Sequence, residues 1–171
     1  MSWTTRPEAA GDQGAVRAVV RAAFPTVHEA DLVDALRRDA AWVPELSVVA
    51  EGEDGGVAGY ALATRCAVGG AGALALAPVA VLPEAQGRGA GGAAVRAVLE
   101  RAAVRAAAGG ERLVVVLGHP GYYPRFGFVR ASPLGVGVAF EVPDEALMAL
   151  VLDGPGPVPS GTVRYPAPFG V

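Results

Sequence analysis

A chain of 171 residues with 52% hydrophobic and 18% charged side chains is long enough for one domain with its own core. Its net charge is -3 and it has no basic run, which speaks against gripping a nucleic-acid backbone, because phosphate contacts dominate that affinity. No stretch nears the roughly 18 consecutive apolar residues of a membrane span, and MSWTTRPEAAGDQ lacks the apolar core of a signal peptide.

Cys66 is the single cysteine, so an internal disulfide is excluded, and two widely spaced histidines give no zinc-binding pattern. Every basic residue is arginine, while lysine, asparagine and isoleucine are absent, a bias of high-GC coding rather than of function. The expectation is a soluble cytoplasmic protein, one domain over residues 1–171, with no metal, no nucleic-acid partner and no membrane partner.

Taken in chain order, residues 12–23 carry Val16, Val19, Val20 and Ala23 on one helical face, with Asp12 as candidate cap. Thr26 and Glu29 have capping-box spacing and open a second helix to about Arg38, with Leu32, Val33 and Leu36 toward the core. Residues 46–50 and 57–68 read as strands joined by a Gly-rich turn, a hairpin. A third apolar run, 73–82, has Pro78 in its middle, and a proline inside a strand marks a bulge or an edge.

Residues 89–108 form a helix with a Val95, Val98, Leu99, Ala102 stripe, stopped by Gly109 and Gly110. Residues 112–117 (RLVVVL) are a buried strand of the parallel kind. Strand, helix and strand from 73 to 117 spell a βαβ crossover. Beyond lie a turn segment, strands near 128–130 and 136–142, one helical turn at 143–148, and a Pro- and Gly-rich tail. The fold class is therefore α/β, with a mixed sheet.

Residues 87–92 read GRGAGG, four glycines in six residues at the start of a helix. Gly87, Gly89 and Gly92 fit the dinucleotide pattern G-x-G-x-x-G, but the context does not. A Rossmann unit puts its first glycine at the strand's end and an acid after the next strand, about twenty residues on. Here residues 83–86 intervene and Glu111 precedes the next strand. No Lys-Ser/Thr follows, so the loop is not a P-loop either. A glycine-rich turn with no ligand is the plain alternative.

Read as Gln86-Gly87-Arg88-Gly89-Ala90-Gly91, the segment has the form Q/R-x-x-G-x-G/A and resembles the pyrophosphate loop of the GNAT superfamily of acyl-CoA-dependent N-acetyltransferases. Glycines let the backbone approach an anion, and helix N-terminal N–H groups point at it. Two further segments carry the resemblance: Pro78 lies where the family's bulge falls, and Tyr123-Pro124-Arg125-Phe126-Gly127-Phe128 looks like its Tyr-x-x-x-Gly-Phe segment. The resemblance covers about residues 4 to 142. It departs at Gly118-His119-Pro120, where many members carry an asparagine.

The resemblance implies a GNAT-like fold, with acetyl-CoA as co-substrate, held by Gln86, Gly87, Arg88, Gly89, Ala90, Gly91 and Gly92. The backbone of Val79, Ala80 and Val81 would pair with the pantetheine arm like an added strand. Tyr123 would assist the thiolate leaving group. Thiol and phenol differ by about 1.5 pKa units, so full proton transfer from Tyr123 is uphill by ~2 kcal/mol and hydrogen-bond donation comes first. Tyr122, Phe126 and Phe128 form an aromatic cluster with it, and packing is the rival role for all four.

No acid lies in ALALAPVAVL, where some members place a base. His119, Glu29, Asp31 or a water chain remain as candidates, and Cys66 reads as core filler. The acceptor is a small-molecule or protein amine, flanked by residues 12–38 and 132–171, with Tyr165 and Phe169 as lining or packing groups. A homodimer is compatible with these features. A non-catalytic acyl-CoA sensor and an NAD(P)-binding protein are the alternatives to an N-acetyltransferase.

Overall fold

The computed structural model describes residues 2–171. Strand β1 (Thr4–Pro7) precedes helices α1 (Gln13–Ala23) and α2 (His28–Arg37), then strands β2 (Ser47–Glu51), β3 (Val57–Val68) and β4 (Ala71–Val81). Helix α3 (Ala90–Ala107) leads to strands β5 (Leu113–Leu117), β6 (Val129–Arg130), β7 (Val136–Gly137), β8 (Leu147–Val151) and β9 (Gly161–Arg164). Strand order is β1-β2-β3-β4-β5-β8-β6, with β9 joined to β3 and β7. The β4–α3–β5 crossover is parallel, as its sequence pattern requires. The chain divides into two compact units, one of residues up to Ala63 with Pro78–Arg101, the other of Thr64–Ala77 with Ala102–Val171.

In the first unit, Val16, Val19 and Val20 of α1 and Val33 and Leu36 of α2 are buried, along the stripes their spacing dictates. Strand β2 buries Val48, Val49 and Ala50 and pairs antiparallel with both β1 and β3. The charged side chains bind each other. Arg37 forks onto Glu8 at 2.7 and 3.0 Å and reaches Asp34 at 2.9 Å, while Arg17 bonds Asp34 at 2.6 Å and Asp31 at 2.9 Å. Such charge-assisted forks hold geometry better than single contacts.

Both expected helix caps are corrected here. Asp12 accepts the Arg6 guanidinium at 2.6 and 2.9 Å and the Ala9 N–H at 2.7 Å, leaving no side-chain cap for α1. Helix α2 begins at His28 behind Val27, which stands at the cap position in place of Thr26, and Thr26 Oγ1 donates to Glu29 at 3.3 Å. At Asp12 the Arg6 guanidinium and the Ala9 N–H take the carboxylate oxygens, whereas Thr26 Oγ1 accepts the His28 N–H at 3.4 Å from outside the cap position.

In the second unit β5 is the central strand, parallel to β4 at Leu74–Val114 and Ala75–Val115 and antiparallel to β8 along its whole length. Leu113 to Val116 are buried, which explains their unbroken apolar run. Strand β8 corrects the helical turn expected at 143–148: only residues 144–146 turn, and Leu147–Val151 is extended. The run is too short for its periodicity to separate strand from helix. The expected strand 136–142 shrinks to Val136–Gly137.

The buried ionisable groups set the pH range of the fold. Hydrogen bonds from Arg6, then from the Ala9 N–H, hold Asp12 down at about 2. Its contribution is present above the ordinary value of 3.8 and is lost as pH falls through about 2. Burial, helped by Glu111, pushes the Cys66 thiol up to about 12, and burial, helped by Cys66, does the same to Tyr165. Burial also lifts Tyr60 above its ordinary range. These contributions are intact below the ordinary thiol and phenol values and are lost as pH rises through about 12. Thermal melts are expected to be flat between about pH 4 and 9, with the alkaline loss accompanied by tyrosinate absorbance. Full tyrosinate absorbance in still-folded protein near pH 10 would contradict this.

Candidate functional site

The first unit places a glycine-rich loop at the start of a helix. Strand β4 ends at Val81, a short turn at Pro83–Ala85 follows, and α3 starts at Ala90. Gly87 and Gly89 have φ of +76° and +91°, the left-handed region where only glycine is unstrained. Ala93 N–H donates to Gly89 C=O at 2.9 Å, so the N–H groups of Gly89, Ala90, Gly91 and Gly92 precede the first helical donor and have no intrahelical acceptor. No acidic residue lies in the first turn of α3, which leaves the positive end of its dipole uncompensated. Gln86, Gly87, Arg88 and Gly89 are exposed.

The loop is held by a residue that sequence reading missed. Trp3 Nε1 donates to the Arg88 carbonyl at 2.8 Å, and the indole lies 3.8 Å from where a Gly89 side chain would begin. In a trans peptide the C=O and the following N–H point in opposite directions. Fixing the Arg88 carbonyl therefore fixes the Gly89 N–H. A contact spanning 85 residues leaves no local signal in the sequence. Gln86 Nε2 lies 3.5 Å from the Val81 carbonyl, a long contact that turns this side chain back toward β4. Val79 and Val81 are half-buried and Ala80 is buried.

The second unit holds Tyr123. Its ring meets Tyr122 edge-on at 5.0 Å and Phe128 at 5.9 Å. Phe128 is buried, whereas Tyr122, Tyr123 and Phe126 are half-buried. Of the four aromatic residues, Phe128 alone is fully in the core. Gly127, at φ +100°, makes the bend that the Tyr-x-x-x-Gly-Phe spacing needs. Tyr123 also lies so close to Gly118 that a Cβ there would come within 2.4 Å of the ring. Burial, then Tyr122, raises its hydroxyl to about 12. Among the described residues no protein group hydrogen-bonds that hydroxyl, so it is a neutral donor free to meet a ligand.

The other candidates have structural partners. His119 Nδ1 accepts the Gly121 N–H at 3.0 Å on an exposed turn. Asp31 pairs with Arg17 and Glu29 with Thr26. Cys66 packs against the second unit's core, and its raised pKa keeps it a thiol. Among the described residues no group of three or more His, Cys, Asp or Glu side chains could hold a metal, and no helix is long and apolar enough to cross a membrane.

The acetyltransferase (GNAT) family model matches residues 15–128, and the chain belongs to that family. It is 38% identical, over 78% of its length and 74% of the relative's, to the uncharacterized N-acetyltransferase YjhQ of Escherichia coli (strain K12). The crystal structure of the GNAT family N-acetyltransferase YhbS from Escherichia coli in complex with CoA superposes with a TM-score of 0.86 at 28% identity, covering 99% of this chain and 92% of that one. A GNAT family acetyltransferase from Brucella melitensis in complex with acetyl-CoA gives 0.77 at 35% identity, covering 98% of each chain.

Removing the indole N–H is expected to loosen the loop without unfolding the unit. Trp3→Phe should weaken CoA binding by about two- to tenfold in calorimetry, the worth of one hydrogen bond, with Tm nearly unchanged. Wild-type affinity in that variant would show that Trp3 does not position the loop.

Proposed function

We propose that the protein is an N-acetyltransferase that moves the acetyl group of acetyl-CoA to a primary amine. The observation that carries this reading is the exposed loop at the start of α3, with two left-handed glycines, free N–H groups and no acid in the first turn of the helix. An oxyanion of a pyrophosphate is the ligand that such a helix start favours. The CoA and acetyl-CoA complexes of the two structural relatives, each aligned over nearly the whole chain, support the assignment.

On this reading Gly87 to Gly92 hold the pyrophosphate through backbone N–H groups, with Gln86 and Arg88 at the loop's edge. The backbone of Val79, Ala80 and Val81 receives the pantetheine arm. The amine nitrogen attacks the thioester carbonyl carbon, the C–N bond forms and the C–S bond breaks. Nitrogen gives one proton to solvent and sulfur takes up one. Tyr123 donates a hydrogen bond to the sulfur as negative charge develops there. Its raised pKa makes it a weaker acid than an ordinary phenol, so donation without full ionisation is the role its environment favours.

Two variants test the role of Tyr123. Tyr123→Phe should lower kcat by roughly 10²-fold and leave the acetyl-CoA dissociation constant within about twofold of wild type. Gly118→Ala, which forces the ring to move, should lower kcat while keeping the hydroxyl. Full activity in Tyr123→Phe would remove it from the mechanism. Acetyl-CoA binding without turnover of any amine would favour a sensor module, a reading that the acid-free β4 motivates.

A further inference from the structure

The second unit contains a cavity of about 290 Å³ where β4 and β5 stop pairing. The parallel ladder holds Leu74 with Val114 and Ala75 with Val115. Just beyond it, Ala77 and Leu117 line the cavity instead. Its roof is a row of three aromatic rings, with Phe140 6.3 Å from Tyr165 and Tyr165 5.1 Å from Phe169. None of the described lining side chains is charged.

The cavity and Tyr123 lie on opposite faces of the end of β5. Alternate strand residues face opposite sides, and Val115 and Leu117 face the cavity. Gly118 stays in line with the strand, because its N–H donates to the Ala146 carbonyl at 2.9 Å. Its Cβ direction, where Tyr123 packs, is the other face. In nucleophilic addition to a carbonyl the amine approaches out of the thioester plane in which the sulfur lies. The amine and the group that meets the sulfur therefore need separate positions, as the two faces of this strand end offer.

We propose that this cavity is the acceptor pocket, and that it takes the apolar part of a primary amine: a single aromatic ring or a branched alkyl group. The proposal rests on the acetyltransferase reading above. The volume, at the lower end of the about 300–1,000 Å³ of small-molecule pockets, suits a group of one ring, and the apolar lining favours a hydrocarbon over an aminosugar. A polycation would find no charged side chain on these walls. An apolar pocket also addresses the base. Desolvation disfavours the ammonium form and lowers its pKa, so the amine is bound neutral and gives up its proton to water on entry, with no carboxylate needed on β4. A second cavity, sharing Phe140 and carrying Glu141 and Asp144, is the site a cationic acceptor would choose.

The test is a panel of amines assayed with the full chain at fixed acetyl-CoA by thiol release, with amine binding and acetyl-CoA binding each measured separately by calorimetry. Phenylalkyl and branched alkyl amines are expected to exceed polyamines and aminosugars in kcat/KM by roughly tenfold or more. Phe140 is 37% exposed, so Phe140→Lys should fold, raise KM for the apolar amines at least about tenfold, and leave acetyl-CoA affinity unchanged. A preference for polyamines, or an unaffected Phe140→Lys, would overturn the assignment. So would a preference for longer acyl-CoA chains that this variant abolishes. If the apolar amine binds in a Phe140-dependent way and acetyl-CoA does not bind at all, the pocket stands and the acetyltransferase reading falls.

Discussion

The first turn of a helix cannot satisfy its own N–H groups, and the functional half of the first unit is arranged around that fact at the start of α3. Glycine at 87 and 89 lets the backbone take left-handed conformations that expose those donors. The absence of an acid in the first helical turn keeps them electropositive. Trp3, arriving from just before β1, fixes the one peptide whose orientation decides where the Gly89 N–H points. The Arg37 and Arg6 ion pairs tie together β1, the helices and the chain between them.

The second unit solves a different problem, holding a neutral donor and an apolar space at the end of one strand. Strand β5 is buried from Leu113 to Val116 between its parallel and antiparallel neighbours, and its last residue, Leu117, emerges where the pairing with β4 has ended. Gly118 makes room for the Tyr123 ring, and Gly127 makes the bend that brings Phe128 beneath it. The raised pKa of Tyr123 follows from the same packing that positions it.

Much of this was legible in the sequence where a pattern is local. The 57–68 strand has the same bounds in the structure, and the α3 stripe of Val95, Val98 and Ala102 is buried as its spacing demands. The loop glycines and the Tyr-x-x-x-Gly-Phe bend both show the left-handed glycines their motifs need. What was not legible depends on distant partners. Asp12 has the look of a cap until Arg6 claims it. Leu147 to Val151 is a run too short to declare itself, and becomes a strand because β5 offers a free edge. Strands β1 and β9, four residues each, have too little pattern to be seen. Trp3 is invisible for the same reason: its role exists only across the fold.

The central claim is that the α3 loop binds the pyrophosphate of CoA. It is tested most directly by thermal-shift titration with acetyl-CoA, CoA, NAD and free pantetheine side by side. At about a hundred times its dissociation constant a ligand stabilises the fold by ~2.7 kcal/mol. The account predicts that shift with acetyl-CoA and CoA and a far smaller one with pantetheine, which lacks the pyrophosphate. A shift with NAD and none with CoA would contradict it.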